Sequence, residues 1–517
     1  MSTPAGREAA RTAVPWQRLS GRIVWIDAAV SLASLAPGAF AICVLGVHPS
    51  SGVVWPLGII AVVGVVGGAG DIVRWAFTTY RITGTDVERR TGLFTKEHRT
   101  VPRDRVRSVD STAKLRHRLA GLRVLTVGAG QQAGTGESAL VLDALTTRDA
   151  EALLKSLLST HAASSAETGA ATASPDAEGF EVLATLRPWW VFYNMFTLWA
   201  FLMGAGLLWG GFWLLSSFGV DVVGAASHLI DREQLGWFGV TVLALLGGGV
   251  LGALGLGVTF LLGFWGFELG RVRSGGRSHL RTRRGLLSTR EVSRDESRMR
   301  GMSIAEPLVW RWMGVADTHI ITTGLNVWDP EEPAAILPRG PISVARTVSR
   351  RVLGSDAPFD APLERHPRSA LHRRLWWATL LSAAGAVVLT LLAVRGVVPG
   401  WLPWIVAGIW PATLLAAGIS YGALGHTLVG PYVVVRSGLL SRSTTVLRRD
   451  AVSTIAVRQS VLQRRLGLCT VSAMTAAGWS AYEAFDVSAT EAVPFAHDLT
   501  GDVLGEFLEP TPRLERG

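Results

Sequence analysis

The side chains of this 517-residue chain best placed to do chemistry are arginines, and what they offer is binding rather than bond-making. Arg118, Arg311 and Arg464 each stand three residues before a glycine, at Gly121, Gly314 and Gly467. A guanidinium there can bond helix-end carbonyls or grip an anionic group. Arg103, Arg105, Arg107, Arg298, Arg300, Arg448 and Arg458 complete the candidate surface for a headgroup or protein partner. Their other reading is solvated strand ends facing anionic lipid. Catalytic groups do not emerge. There is no His-Glu-x-x-His and no Cys/His set at zinc spacing. Gly128–Gly136 lacks a following helix at the right position, so it reads as a loop between strands rather than a phosphate cradle. Cys43 and Cys469 read as small hydrophobes. No enzyme, cofactor or metal site is expected.

Composition says what must hold those arginines. The chain is 49% apolar and 17% charged, with a mean hydropathy of +0.32, which fits a membrane protein better than a soluble globule. Six runs reach the ~20 apolar residues that cross a bilayer: Ile23–Val47, Val53–Val73, Trp190–Phe218, Leu235–Phe267, Leu375–Val394 and Trp401–Leu424. They pair into three hairpins. The short loops inside the hairpins hold Arg232 and Arg395 as their basic residues, while the rest lie before the first span or after spans two, four and six. The positive-inside rule then puts both termini and all large polar segments in the cytoplasm of a multi-pass protein of the cell membrane. The net charge of +10 belongs to that topology and to lipid attraction, not to nucleic acid. Ionisable residues are scarce in the spans, with Asp27 and Asp71 near their cytoplasmic ends, which argues against a proton relay. Glycines four apart, Gly64/Gly68, Gly206/Gly210 and Gly248/Gly252, suggest close helix packing. Trp16, Trp189, Trp190, Trp376 and Trp377 suit the interface belt.

The polar segments are three copies of one unit. Gly92, Gly285 and Gly438 each open a turn after a strand, and Gly121, Gly314 and Gly467 each follow 29 residues later. The first set is expected to need positive φ, and the second to cap a short helical stretch. In the first copy, Tyr80–Thr83, Val87–Thr91, Phe94–Val101, Arg105–Ser111, Arg123–Val127 and Ala139–Leu145 read as strands. A helix capped by Thr147 follows, with Ala150, Leu153, Leu154, Leu157 and Leu158 as its apolar stripe. The third copy repeats this order, with a last helix expected near Asp502–Leu508. Each unit should be a small, partly open barrel closed by its helix.

The third copy, with Gly438-Leu439-Leu440, Val457-Arg458-Gln459-Ser460 and Arg465-Leu466-Gly467-Leu468-Cys469-Thr470-Val471, resembles the bacterial pleckstrin-homology-like domain once filed as a domain of unknown function. Three such copies, each after a two-helix hairpin, look like the YdbT-type membrane proteins. The first copy matches less well. The second departs most, at Ile304-Ala305-Glu306-Pro307 and Asp329-Pro330-Glu331-Glu332-Pro333. The expected fold is therefore an α+β membrane protein with six transmembrane helices in three hairpins, each followed by a cytoplasmic PH-like β-barrel or sandwich capped by a C-terminal helix. The expected order is a segment at 1–22, a hairpin at 23–77, a module at 78–158, a linker at 159–187, a hairpin at 188–267, a module at 268–354, a linker at 355–374, a hairpin at 375–424 and a module with tail at 425–517. The resemblance implies a membrane-anchored, non-catalytic scaffold, with a role in envelope stress tolerance. Its implied partners are anionic headgroups and a protein such as a smaller PH-like membrane protein. The rival expectation is a transport or lipid- and peptide-handling protein built on the helical bundle.

Overall fold

Runs of β-branched residues give way to a closing helix in each repeat, and the computed structural model follows that pattern. It describes residues 15–43, 51–92, 95–103, 106, 108–128, 139–163, 179–217, 219–229, 232–274, 277–323 and 334–500. Two compact units divide the chain, Met1–Ser297 and Arg298–Gly517.

In the first unit, β1 (Gln17–Arg18), β2 (Thr79–Ile82), β3 (Asp86–Thr91) and β4 (Glu97–Pro102) form one sheet in that order. A seven-stranded sheet holds β5 (Ser108–Ala113), β6 (Leu122–Gly128), β7 (Ala139–Thr146), β8 (Gly179–Thr185), β9 (Glu268–Ser274), β10 (Arg277–Arg284) and β11 (Thr289–Asp295), in the order β7-β6-β5-β11-β10-β9-β8. The helices are α1 (Arg22–Cys43), α2 (Ser51–Phe77), α3 (Leu115–Leu119), α4 (Thr147–Ala163), α5 (Val191–Met195), α6 (Trp199–Ser217), α7 (Val222–Leu229) and α8 (Arg232–Phe264).

The second unit opens with β12 (Met299–Pro307), α9 (Leu308–Arg311), β13 (Val315–Thr322), β14 (Ala335–Pro341), α10 (Ile342–Leu353) and α11 (Ala357–Asp360). Then come α12 (Arg368–Val394), α13 (Leu402–Gly422), β15 (Gly425–Val429), β16 (Tyr432–Ser437) and β17 (Ser441–Arg448). It closes with β18 (Thr454–Arg458), α14 (Val461–Leu466), β19 (Leu468–Met474), β20 (Ala481–Ser488) and α15 (Ala489–Thr500). Its sheets run β14-β13-β12-β17-β16-β15 and β18-β19-β20.

The sheets do not stay within a repeat, as separate barrels would require. Strand β5 of the first repeat pairs with β11 of the second, and β12 of the second pairs with β17 of the third, both antiparallel. An open edge strand is a row of unmatched N–H and C=O groups, and here the next repeat satisfies them. Both seams share one register. The residue four after the first glycine of a repeat (Thr289, Arg442) faces the residue eight before the second glycine of the preceding repeat (Ala113, Glu306). The second repeat accordingly contributes β9–β11 to one unit and β12–β14 with α10 to the other.

Within the first repeat the two half-sheets face each other across a core of Val87, Val101, Leu122, Leu125, Val127, Leu140 and Leu142, closed by Ala150 and Leu153 of α4. The α4 cap is Thr146, whose hydroxyl accepts from the Asp149 N–H; Thr147 instead donates to the Gly121 carbonyl. Val433, Leu447, Val471, Ala484 and Val487 form the matching core of the third repeat under Phe495 and Leu499 of α15. That helix precedes the expected Asp502–Leu508, which lies outside the described residues. Alanine and Pro494 in its sequence hide its stripe. Both glycine sets behave as expected: Gly92, Gly285 and Gly438 have φ of +114°, +106° and +118°, and Gly121, Gly314 and Gly467 have +66°, +63° and +64°.

Among the described residues, four helical segments are long and apolar enough to cross a membrane: Trp199–Ser216, Gln234–Phe264, Arg368–Val394 and Leu402–Gly422. The third expected run starts late because residues 188–195 form two short helical turns that end at Phe196. Helix α6 packs on α8 through glycine, though at Gly204, Gly248 and Gly252; Gly206 and Gly210 face open space. One expected interface tryptophan is instead a core residue. Trp190 is buried, and Trp16 lies between the guanidinium groups of Arg81 and Arg90 at 4.6 and 4.1 Å.

Candidate functional site

Two polar constructions stand out, one in each unit. In the second, the start of the apolar helix α12 is riveted to the third repeat. Asp486 sits on the β-bulge of β20 with a φ of +60° and is fully buried. It accepts from Arg373 (2.8 Å), from Arg374 (3.2 Å) and from the Gln463 amide (2.9 Å). Gln463 is held by a capping box with Ser460 at the start of α14. The Asp486 carbonyl bonds Nδ1 of His366, whose Nε2 lies 3.1 Å from His426 Nδ1, and Tyr421 of α13 donates to the His366 carbonyl. The first repeat has a simpler version. Arg74 at the end of α2 pairs with Asp143 on the β7 bulge, and Arg116 of α3 reaches Asp27 of α1 at 2.8 Å. The second repeat holds Arg339 at the bulge, paired with Asp317 at 2.8 Å.

Burial lowers both imidazoles, and the neighbouring His366 charge adds to the effect at His426, which is brought down to about 4. Glu364 lies 3.3 Å from His426 Nε2 but is largely exposed, so water screens its pull. The ring of Phe495 covers the other side. Folding therefore requires neutral rings, whereas the unfolded chain takes up protons near pH 6.5. Stability is full above that pH and is lost as pH falls from about 6.5 toward 4, by up to about 3 kcal/mol for His426. Thermal unfolding in detergent between pH 7.5 and 4.5 should show this slope, and His426→Gln should flatten it. An unchanged slope would refute the assignment.

In the first unit, α4 and the facing strands β5, β10 and β11 enclose a groove of about 1000 Å³. Five arginines line it, Arg118, Arg123, Arg281, Arg283 and Arg290, against Glu151 and Glu291. Its carboxylates are already engaged: Glu291 by Arg281 at 2.7 Å, and Glu151 by Arg123 at 3.5 Å. Arg290 reaches across the seam to Asp110 at 2.8 Å, and Arg118 donates to the Leu286 carbonyl. Burial raises the Asp110 carboxyl above its ordinary range against the opposing charge of Arg290. Arg283 is exposed and has no ion pair among the described residues. Positive charge therefore remains in excess, and planar guanidinium groups suit phosphate or carboxylate. The turn that joins the lining strands β10 and β11 is bonded to the end of α8: Gly285 N–H to the Trp265 carbonyl and Leu286 N–H to the Leu262 carbonyl, both 2.9 Å.

Of the arginines expected from the sequence, Arg118 lines this groove. Arg103 is buried and donates to the Gly84 carbonyl and to Ser156 of α4, so it fastens a module rather than facing a ligand. Arg105 and Arg107 lie outside the described residues. Arg311 is half-buried and reaches the Glu306 carbonyl at 3.5 Å, a strand carbonyl that precedes α9. Arg464 is exposed on α14, and Arg298 and Arg300 are half-buried. Arg448 and Arg458 each pair with a carboxylate, Asp450 and Glu483. Sequence reading passed over Arg281, Arg283 and Arg290, although Arg281-x-Arg283 alternates as residues on one strand face do.

Residues 30–161 and 379–497 match the family model described as a bacterial PH domain. The first stretch runs from α1 to α4 and the second from α12 to α15, so each takes in apolar helix as well as module. The first and third repeats thus carry PH-like domains, and the second falls outside both stretches. No curated protein and no solved structure matches the chain.

Proposed function

We propose that the chain is a membrane-anchored, non-catalytic scaffold that presents its PH-like modules to the cytoplasmic face of the cell membrane and holds an anionic lipid headgroup in the groove between α4 and β5, β10 and β11. One observation carries this reading. The groove has an uncommitted arginine, Arg283, on a strand hairpin hydrogen-bonded to the end of α8, a helix long and apolar enough to cross a bilayer. A basic groove at such a helix end lies at headgroup depth. The topology in this reading is six spans in three hairpins with both termini cytoplasmic, supported by the distribution of Arg and Lys around the apolar runs.

Lipid retention tests it. Wild type and an Arg281→Ala/Arg283→Ala variant would be purified in mild detergent, and lipids bound per chain counted by native mass spectrometry. Wild type should retain anionic lipid in preference to zwitterionic lipid, and the variant should lose most of it. Equal retention of anionic lipid by both proteins would overturn the headgroup assignment.

A further inference from the structure

The internal seams leave two matching edges unused, one at each end of the series. Strand β4 is the first repeat's counterpart of β11 and β17, and β18 is the third repeat's counterpart of β5 and β12. Among the described residues, β4 pairs only with β3, and β18 only with β19. Burial follows the pairing. At equivalent positions, Val446 of β17 is buried where Thr100 of β4 is exposed, and Ile304 of β12 is buried where Val457 of β18 is exposed; Glu97 and His98 of β4 and Thr454 and Arg458 of β18 are exposed too.

We propose that the chain assembles head to tail with further copies of itself, β18 of one copy pairing antiparallel with β4 of the next. This goes beyond the headgroup reading and does not depend on it. The register follows from the rule shared by both internal seams, which sets Lys96 opposite Gln459. His98 then faces Val457, Thr100 faces Ile455, and Glu97 stands directly opposite Arg458. Each internal seam is crossed by an arginine–carboxylate pair, Arg290–Asp110 and Arg442–Glu306, and the open edges carry the components of a third. In the single chain Glu97 and Arg458 hold exposed local partners, Arg99 and Glu483, and exposed pairs of that kind are weak enough to exchange.

Charge on an edge strand often serves to block pairing. Here it does not, because β11 pairs while carrying Arg290, Glu291 and Arg294. The occupant is a second copy because the two edges fit each other and every chain has both. Such a contact is heterologous and builds a ring or an open row in the membrane plane.

Paired cysteines test it. Differently tagged chains, one His98→Cys and one Val457→Cys, would be co-expressed and oxidised in membranes, each variant alone giving the background from native thiols. Facing antiparallel residues have Cα atoms ~4.5–5.5 Å apart, within reach of a disulfide. A disulfide joining the two tags is expected, with its loss when Ile455→Cys replaces Val457→Cys. Glu97→Arg or Arg458→Glu alone should reduce the crosslink, and the two together should restore it. The proposal fails if no interchain disulfide forms, or if the offset pair links equally well.

Discussion

Asp486→Ala is expected to destabilise the third module by about 2–4 kcal/mol, because it leaves two half-buried guanidinium groups without their counter-charge. The carboxylate has no solvent exposure, and Arg373, Arg374 and Gln463 all converge on it. Asp486→Asn separates charge from shape, since asparagine tolerates the left-handed backbone and keeps an acceptor for one arginine. It should cost less than alanine and still far more than a surface substitution. Denaturant unfolding in detergent supplies the measurement. Replacing Arg373 and Arg374 with methionine in the Asp486→Ala background should recover part of the loss, because the penalty lies in the stranded charges. A loss below about 1 kcal/mol for Asp486→Ala would show that the arginines are hydrated without it.

The second large effect lies between apolar helices. Gly252→Ala should separate α6 from α8, since a Cβ at that position would sit 1.7 Å from the Ala200 carbonyl oxygen and 2.6 Å from the Gly204 nitrogen. Both obstacles are backbone, which no rotamer change can move. The expected cost is about 1–3 kcal/mol, growing with leucine at the same position. Gly206→Ala provides the control, because nothing lies within 4 Å of its Cβ. That change should be neutral, or stabilising by about 0.5–1 kcal/mol, through reduced chain entropy. Unfolding of both variants in a detergent series measures the difference; equal stabilities would mean that the helices do not approach at Gly252.

Repeat order, most strands and both glycine sets could be read from the sequence because each depends on neighbours within a few residues. The seams could not. Strand pairing between repeats joins Asp110 to Arg290 across 180 positions and Glu306 to Arg442 across 136, and no local pattern encodes which edge a strand will meet. Asp486 was hidden for a related reason. Between Phe485 and Val487 it reads as a solvent-facing residue, and the bulge that lets Asp486 and Val487 both be buried shows only in the pairing register. Arg103 looked like a free strand-end charge because nothing near it in sequence reveals that Ser156 of α4 comes back to meet it. The groove arginines were passed over because the groove exists only once the first and second repeats share a sheet.

The seam between β5 and β11 also sets a timetable. Synthesis proceeds at ~5–20 residues per second, so the 180 residues between Asp110 and Arg290 take roughly 10–40 s to appear. During that interval the first half of the sheet has emerged, and helices α6 and α8 must be made, before the strand that completes it exists. A ribosome stalled anywhere between those points leaves a chain whose sheet ends in a bare, adhesive border.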